Sequence, residues 1–170
     1  MFLIYLNNMS EINNLIIERL NKKNNLSDIP SGWFLVKVEA DFFSNEDAVL
    51  ALQRVKEVIE IIAMTKHNTK DWPNIEGWKK ILPNWLLKSF RSEYTKEEVE
   101  KLLKNNQPRK EWTLEDWEFY IQNKVWEWWN GKVEDNKLLI EVIVDGHPFS
   151  IYELESILIL SGATFVKMVE

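Results

Sequence analysis

Apolar positions along this chain of 170 residues recur with two periods, and the switches between them mark out its elements. Ile12, Leu15, Ile16 and Leu20 fall at helical spacing, which predicts a helix from about Ser10 to Asn21. "GWFLVKVEA", Gly32 to Ala40, is rich in β-branched and aromatic residues and predicts a strand. Ser44, with Asp47 three residues on, resembles a capping box and opens a long helix to about Lys66. Ala48, Ala51, Leu52, Val55, Val58, Ile59 and Ile62 give that helix one broad apolar stripe, while Leu50, Ile61 and Met64 fall on the opposite arc and call for a second apolar contact. From His67 to Lys110 the pattern breaks up, because Pro73, Pro83 and Pro108 each remove a backbone donor and restrict the residue before them. Pro83 opens a short helix reaching Phe90, and the Thr95–Glu98 capping box starts another that ends near Asn106.

The densest aromatic stretch, "NKVWEWWNGKVEDNKLLIEVIVDG", Asn123 to Gly146, admits two readings. A helix begun at Thr113 continues to Trp129, or it stops near Asn123 and a strand begins at Val125; Val and Trp favour the strand. Either way Asp135-Asn136 makes a hairpin turn before a strand from Leu138 to Val144. With the strand reading and Asp135-Asn136 as a two-residue turn, Glu134 faces Lys137, Lys132 faces Leu139, Asn130 faces Glu141, Trp128 faces Ile143 and Trp126 faces Asp145. Val125, Trp129, Val133, Leu138, Ile140, Val142 and Val144 then form the core face. The other face mixes Trp126, Trp128, Leu139 and Ile143 with Glu134, Glu141 and Asp145, and these seven are the expected partner-binding residues unless Trp112, Trp117 and Phe119 fold back over them. Ser150 and Glu153 form a further capping box ahead of "IYELESILILSG", a helix that Gly162 ends, and "ATFVKMV" closes the chain as a strand. This order predicts a single α+β domain over residues 1–170: a small antiparallel or mixed sheet with helices packed largely on one face.

Charge is distributed unevenly. Residues 79–110 hold 9 basic and 4 acidic side chains, whereas residues 111–170 hold 4 basic and 12 acidic; the two segments largely neutralise each other if they fold side by side, and the acidic one attracts a basic partner if they lie on different faces. Trp72, Trp78 and Trp85 interleave with the basic residues, including Arg109 and Lys110, in the manner of a single-stranded nucleic-acid site, but Glu93, Glu97, Glu98 and Glu100 in the same segment argue against one. The chain has no cysteine, which agrees with a reducing cytoplasm. The apolar run after Met1 is too short for a signal peptide, and no window approaches the roughly 18 to 20 apolar residues of a membrane span. A soluble, cytoplasmic protein without membrane contact is expected.

No motif points to catalysis. The five glycines stand far apart, so no phosphate-cradling loop of the usual kinds is present, and only His67 and His147 offer imidazole. "DGHP", Asp145 to Pro148, places a carboxylate two residues from His147, a spacing more often found in an ordinary turn than in a metal or acid–base site. No enzyme activity and no cofactor are expected. In general type, being small, acidic, cysteine-free, α+β and tryptophan-rich, the chain resembles bacterial immunity proteins that neutralise polymorphic or contact-dependent toxins. The likeness is one of type and carries over no residue. It implies a protein partner, a basic toxin domain such as a nuclease; the other expectation is a structural or regulatory domain that acts by self-association, for instance as a homodimer.

Overall fold

A computed structural model of the chain describes residues 17–68, 72–106 and 111–169. Its elements are α1 (residues 17–21), β1 (Phe34–Asp41), α2 (Asn45–Asn68), α3 (Ile75–Ile81), α4 (Asn84–Ser89), α5 (Lys96–Lys104), α6 (Leu114–Gln122), β2 (Trp126–Glu134), β3 (Lys137–Val144), α7 (Tyr152–Leu160) and β4 (Phe165–Val169). The rest of the helix expected from Ser10, with Ile12, Leu15 and Ile16, lies outside the described residues, as do Pro108, Arg109 and Lys110. The strands form one antiparallel sheet in the order β2-β3-β1-β4, giving an α+β fold.

Local chemistry sets the boundaries. The Ser44, Asn74 and Thr113 side chains accept the N–H groups of Asp47, Gly77 and Asp116, and Thr95 with Glu98 completes a reciprocal capping box. Asp47 is too short to complete such a box; its carboxylate instead takes the Ser44 hydroxyl at 2.9 Å. Asp135 adopts the left-handed φ of 55° that the β2–β3 turn needs, and Asn136 fastens the turn to β1 by accepting the Phe42 N–H at its carbonyl and donating its amide to the Phe42 carbonyl.

One face of the sheet carries the main core. Val38, Ala40, Leu138, Ile140, Val142 and Val144 pack there with the α2 stripe of Ala48, Ala51, Val55, Val58, Ile59 and Ile62 and with Leu154, Ile157 and Leu158 of α7. Ile61 packs at the margin of this core, while Leu50 and Met64 stay exposed, so the second contact expected for all three reaches only one. On the opposite face Lys137 and Lys167 both reach Glu39, at 2.9 and 3.0 Å. Those cations hold the Glu39 carboxyl below its ordinary range.

The tryptophans of β2 stand on the faces opposite to those an unbroken ladder gives them. The expected pairs Glu134–Lys137, Lys132–Leu139 and Asn130–Glu141 form, but a β-bulge between Trp128 and Asn130 inserts Trp129 as an unpaired residue. Beyond it, Trp128 faces Val142, Glu127 faces Ile143 and Trp126 faces Val144. Trp126 and Trp128 therefore turn into the main core, and Trp128 is only 4% exposed. Trp129 is also buried but stands outside that cluster, beneath the Arg19 guanidinium 5.4 Å from its ring; the same guanidinium bonds Glu127 at 2.7 Å. Trp112, Trp117 and Phe119 do not fold back as a cover: Trp117 meets Trp78 edge-on, Trp112 meets Tyr120, and Phe119 faces solvent.

Two small residues make the bulge tenable. The Asn24 side-chain amide donates to the Trp129 carbonyl, while the Asn130 side chain accepts the Asn24 backbone N–H and donates to the Asn24 carbonyl, so residues around the bulge do not lose their hydrogen bonds. Gly131 leaves room for the Trp128 indole, since a Cβ there would stand 2.5 Å from the Trp128 Cη2 and 2.8 Å from the Leu52 Cδ1. Gly131→Ala is accordingly expected to lose about 1–3 kcal/mol through overpacking. Gly146→Ala, where a Cβ meets nothing within 4 Å, should be nearly neutral. Urea unfolding of the two variants checks this; equal midpoints would show that Trp128 does not lie over Gly131.

Candidate functional site

The seven residues expected to form one partner surface are dispersed. Trp126, Trp128 and Ile143 are buried, and Glu134 is exposed and paired with Lys132. Leu139 and Glu141 border a hollow of about 530 Å³ beside the β2 edge, with Leu20, Lys56 and the margin of Trp128, and Asn130 donates to Glu141 at 2.8 Å. Asp145 is exposed beyond β3, at the other end of the hairpin. The mixed face of aromatic rings and carboxylates is thus absent, because the bulge reverses the facing of every residue of β2 that precedes it. The interleaved tryptophans are engaged within the protein as well. Trp78 is in the core, Trp72 donates to Glu118, and Trp85 donates to Glu57 at 2.9 Å beneath Arg54.

Exposed aromatic surface gathers instead where α6, α7 and the segment after β3 meet. Thr113 starts α6 so that Phe119 and Tyr120 come one turn before its end, and Tyr120 meets Phe119, Trp112 and, across to α7, Tyr152, with ring centroids 5.4–5.7 Å apart. Phe119 is 61% exposed and Tyr152 53%. On the other side His147 lies between Phe34 and Phe149, 5.5 and 5.0 Å from their rings. Between these two sets opens a pocket of about 370 Å³ lined by Phe119, Tyr120, Val125, Pro148, Phe149 and Glu153, together with Asn123 and Ser150.

Glu153 is the unusual member of this lining. The expected capping box does not form: Ile151 is the N-cap of α7 without a side-chain bond, and Ser150 accepts only the Tyr152 N–H at 3.3 Å. Glu153 turns inward, 2% exposed, and its Oε1 accepts the Trp126 indole N–H at 2.5 Å. Burial raises the Glu153 carboxyl above its ordinary value, against the opposing pull of its own backbone N–H, the Trp126 indole and the Lys124 charge. Sequence reasoning missed this residue because the Ser-x-x-Glu spacing offered a cap. A signal was present, however: Glu153 stands one turn before Ile157, and so on the arc of α7 that the core covers.

Acidic groups border the aromatic surface. Glu115 lies one turn before Phe119 on α6, and Glu155 lies three residues after Tyr152 on α7. Burial and the neighbouring charges of Glu115 and Asp116 raise the Glu93 carboxyl, and burial raises that of Glu155. Among the described residues no cluster of His, Asp and Glu that could hold a metal is found, and no helix is long and apolar enough to cross a membrane. Compared with protein-family models, curated proteins and solved structures, the chain matches none.

The raised Glu153 carboxyl gives a signed prediction. Below the ordinary carboxylate range Glu153 is protonated in both folded and unfolded chains and costs nothing. As pH rises through that range and on through the raised folded value, the unfolded chain releases the proton more readily, so stability is lost. Glu153→Gln removes this loss, and its urea midpoint should gain on the wild type's as pH rises from about 4 to about 7. A difference between the two that stays constant with pH would contradict an uncompensated carboxyl at this position.

Proposed function

We propose that this chain is a non-catalytic protein-binding module of the immunity type, acting in the cytoplasm to inhibit a bacterial toxin by occupying it. The observation that carries the reading is the aromatic surface of exposed Phe119 and Tyr152 with half-buried Tyr120 between them, on the acidic part of the chain. Large rings fixed by edge-on contacts lose little conformational freedom on binding, and such rings commonly supply the dominant contacts of an interface. The 12 acidic against 4 basic residues over 111–170 add the second ingredient, attraction of a basic toxin domain, such as a nuclease whose substrate channel is cationic. Rings beside carboxylates on α6 and α7, the material expected of a partner surface, support this reading.

The test is binding to a basic toxin domain encoded beside this chain, measured by calorimetry on variants whose unfolding is measured in parallel. Phe119→Ala and Tyr152→Ala should each weaken binding by about 2 kcal/mol or more with little change in stability, because both rings are largely exposed in the free protein. Glu115→Lys should slow association at low salt, an effect that fades as salt rises. Unchanged affinity in both ring variants would overturn the reading. So would light scattering that shows a tight homodimer burying the same rings.

A further inference from the structure

We infer that the pocket between α6 and the segment 148–150 is a socket for one arginine side chain of the protein partner, with the guanidinium held between aromatic walls and its charge placed against the Glu153 carboxylate. This rests on the reading of the surrounding surface as the partner-binding site. Three observations converge on a guanidinium. The walls are rings: Phe119, Tyr120 and Phe149 line the pocket, and aromatic faces attract a flat cation. Among the lining residues is an acid, Glu153, that is only 2% exposed. Its side-chain partner is a neutral indole, the N–H of Trp126, which satisfies one lone pair and supplies no counter-charge.

The charges around Glu153 leave a cation wanted. Lys124 attracts the carboxylate through its charge, while its ammonium bonds the Trp126 carbonyl and lies 4.5 Å from the Trp126 ring centroid. Glu155, on the same helix, repels it. Burial outweighs these influences and favours the protonated acid. Where the free protein still holds the Glu153 proton, a guanidinium entering the pocket reverses the balance: Glu153 releases that proton to solvent and the resulting carboxylate accepts hydrogen bonds from the incoming N–H groups. Binding is then linked to proton release, so affinity rises with pH through the range in which the free protein still holds that proton.

The test titrates ethylguanidinium chloride into the ¹⁵N-labelled full chain and follows the Trp126 indole resonance, which reports on Glu153 through their hydrogen bond. Sodium chloride at matched concentration and neutral ethylurea serve as controls. A saturable shift is expected with ethylguanidinium and none with ethylurea. Apparent affinity should fall about tenfold or more in Glu153→Gln, a loss of about 1.4 kcal/mol, and fall also on lowering the pH to about 4. Glutamine keeps an acceptor for Trp126, and Phe149→Ala, which leaves Glu153 in place, should weaken the probe independently by removing a wall. A shift shared with ethylurea, or saturable binding that persists unchanged in Glu153→Gln, would overturn the socket. Because the probe is a small cation, its failure removes the socket and leaves the Phe119–Tyr152 surface to be decided by its own binding test.

Discussion

The extra residue at Trp129 fixes which way every ring of β2 points. A bulge opposes two residues to one, and since side chains alternate at each step along a strand, everything before it in β2 changes face relative to everything after it. Trp126 and Trp128 enter the main core by this means, and Gly131 gives Trp128 the space to lie down against Leu52. Asn24 takes the carbonyl of the inserted residue, and Arg19 lies over its ring, so residues 17–25 close the opposite face at the same point. The consequence extends to α7. The inward indole of Trp126 finds an acceptor in Glu153, which takes no part in capping α7 and instead stands as a buried acid in the lining of a pocket.

Much of the fold was legible because its signals are local. Caps at Ser44, Thr95 and Thr113, the alternation in β1 and β3, and the Asp135-Asn136 turn each depend on neighbouring residues, and each appears where the spacing places it. The short helix α3 escaped notice, since "IEGWKKI" has a glycine inside it and too few positions to show a period. The bulge escaped for another reason. Three tryptophans in four positions fit either face of a strand, so the choice belongs to Gly131, Leu52 and Asn24, which lie at or far from the bulge in sequence and meet only in the folded chain.

The candidate site was legible as chemistry and not as location. Aromatic rings beside carboxylates were the expected material of a partner surface, and the sequence holds two such concentrations, one on the hairpin and one over α6 and α7. Core burial consumes the first, leaving Phe119, Tyr120 and Tyr152 as the rings on which the binding reading rests. Burying Trp126 also sets an unusual electrostatic feature into the second, the inward carboxyl of Glu153. In this way the hairpin shapes the surface without forming it.

The face reversal on which this account stands is open to direct measurement by interstrand proton–proton contacts in the NMR spectrum of the hairpin. The bulged register places the Trp128 backbone opposite Val142 and the Trp126 backbone opposite Val144, and contacts between those pairs are the result it predicts. Contacts joining Trp128 to Ile143 and Trp126 to Asp145 would restore the unbroken ladder, return both rings to the other face of the sheet, and contradict the account.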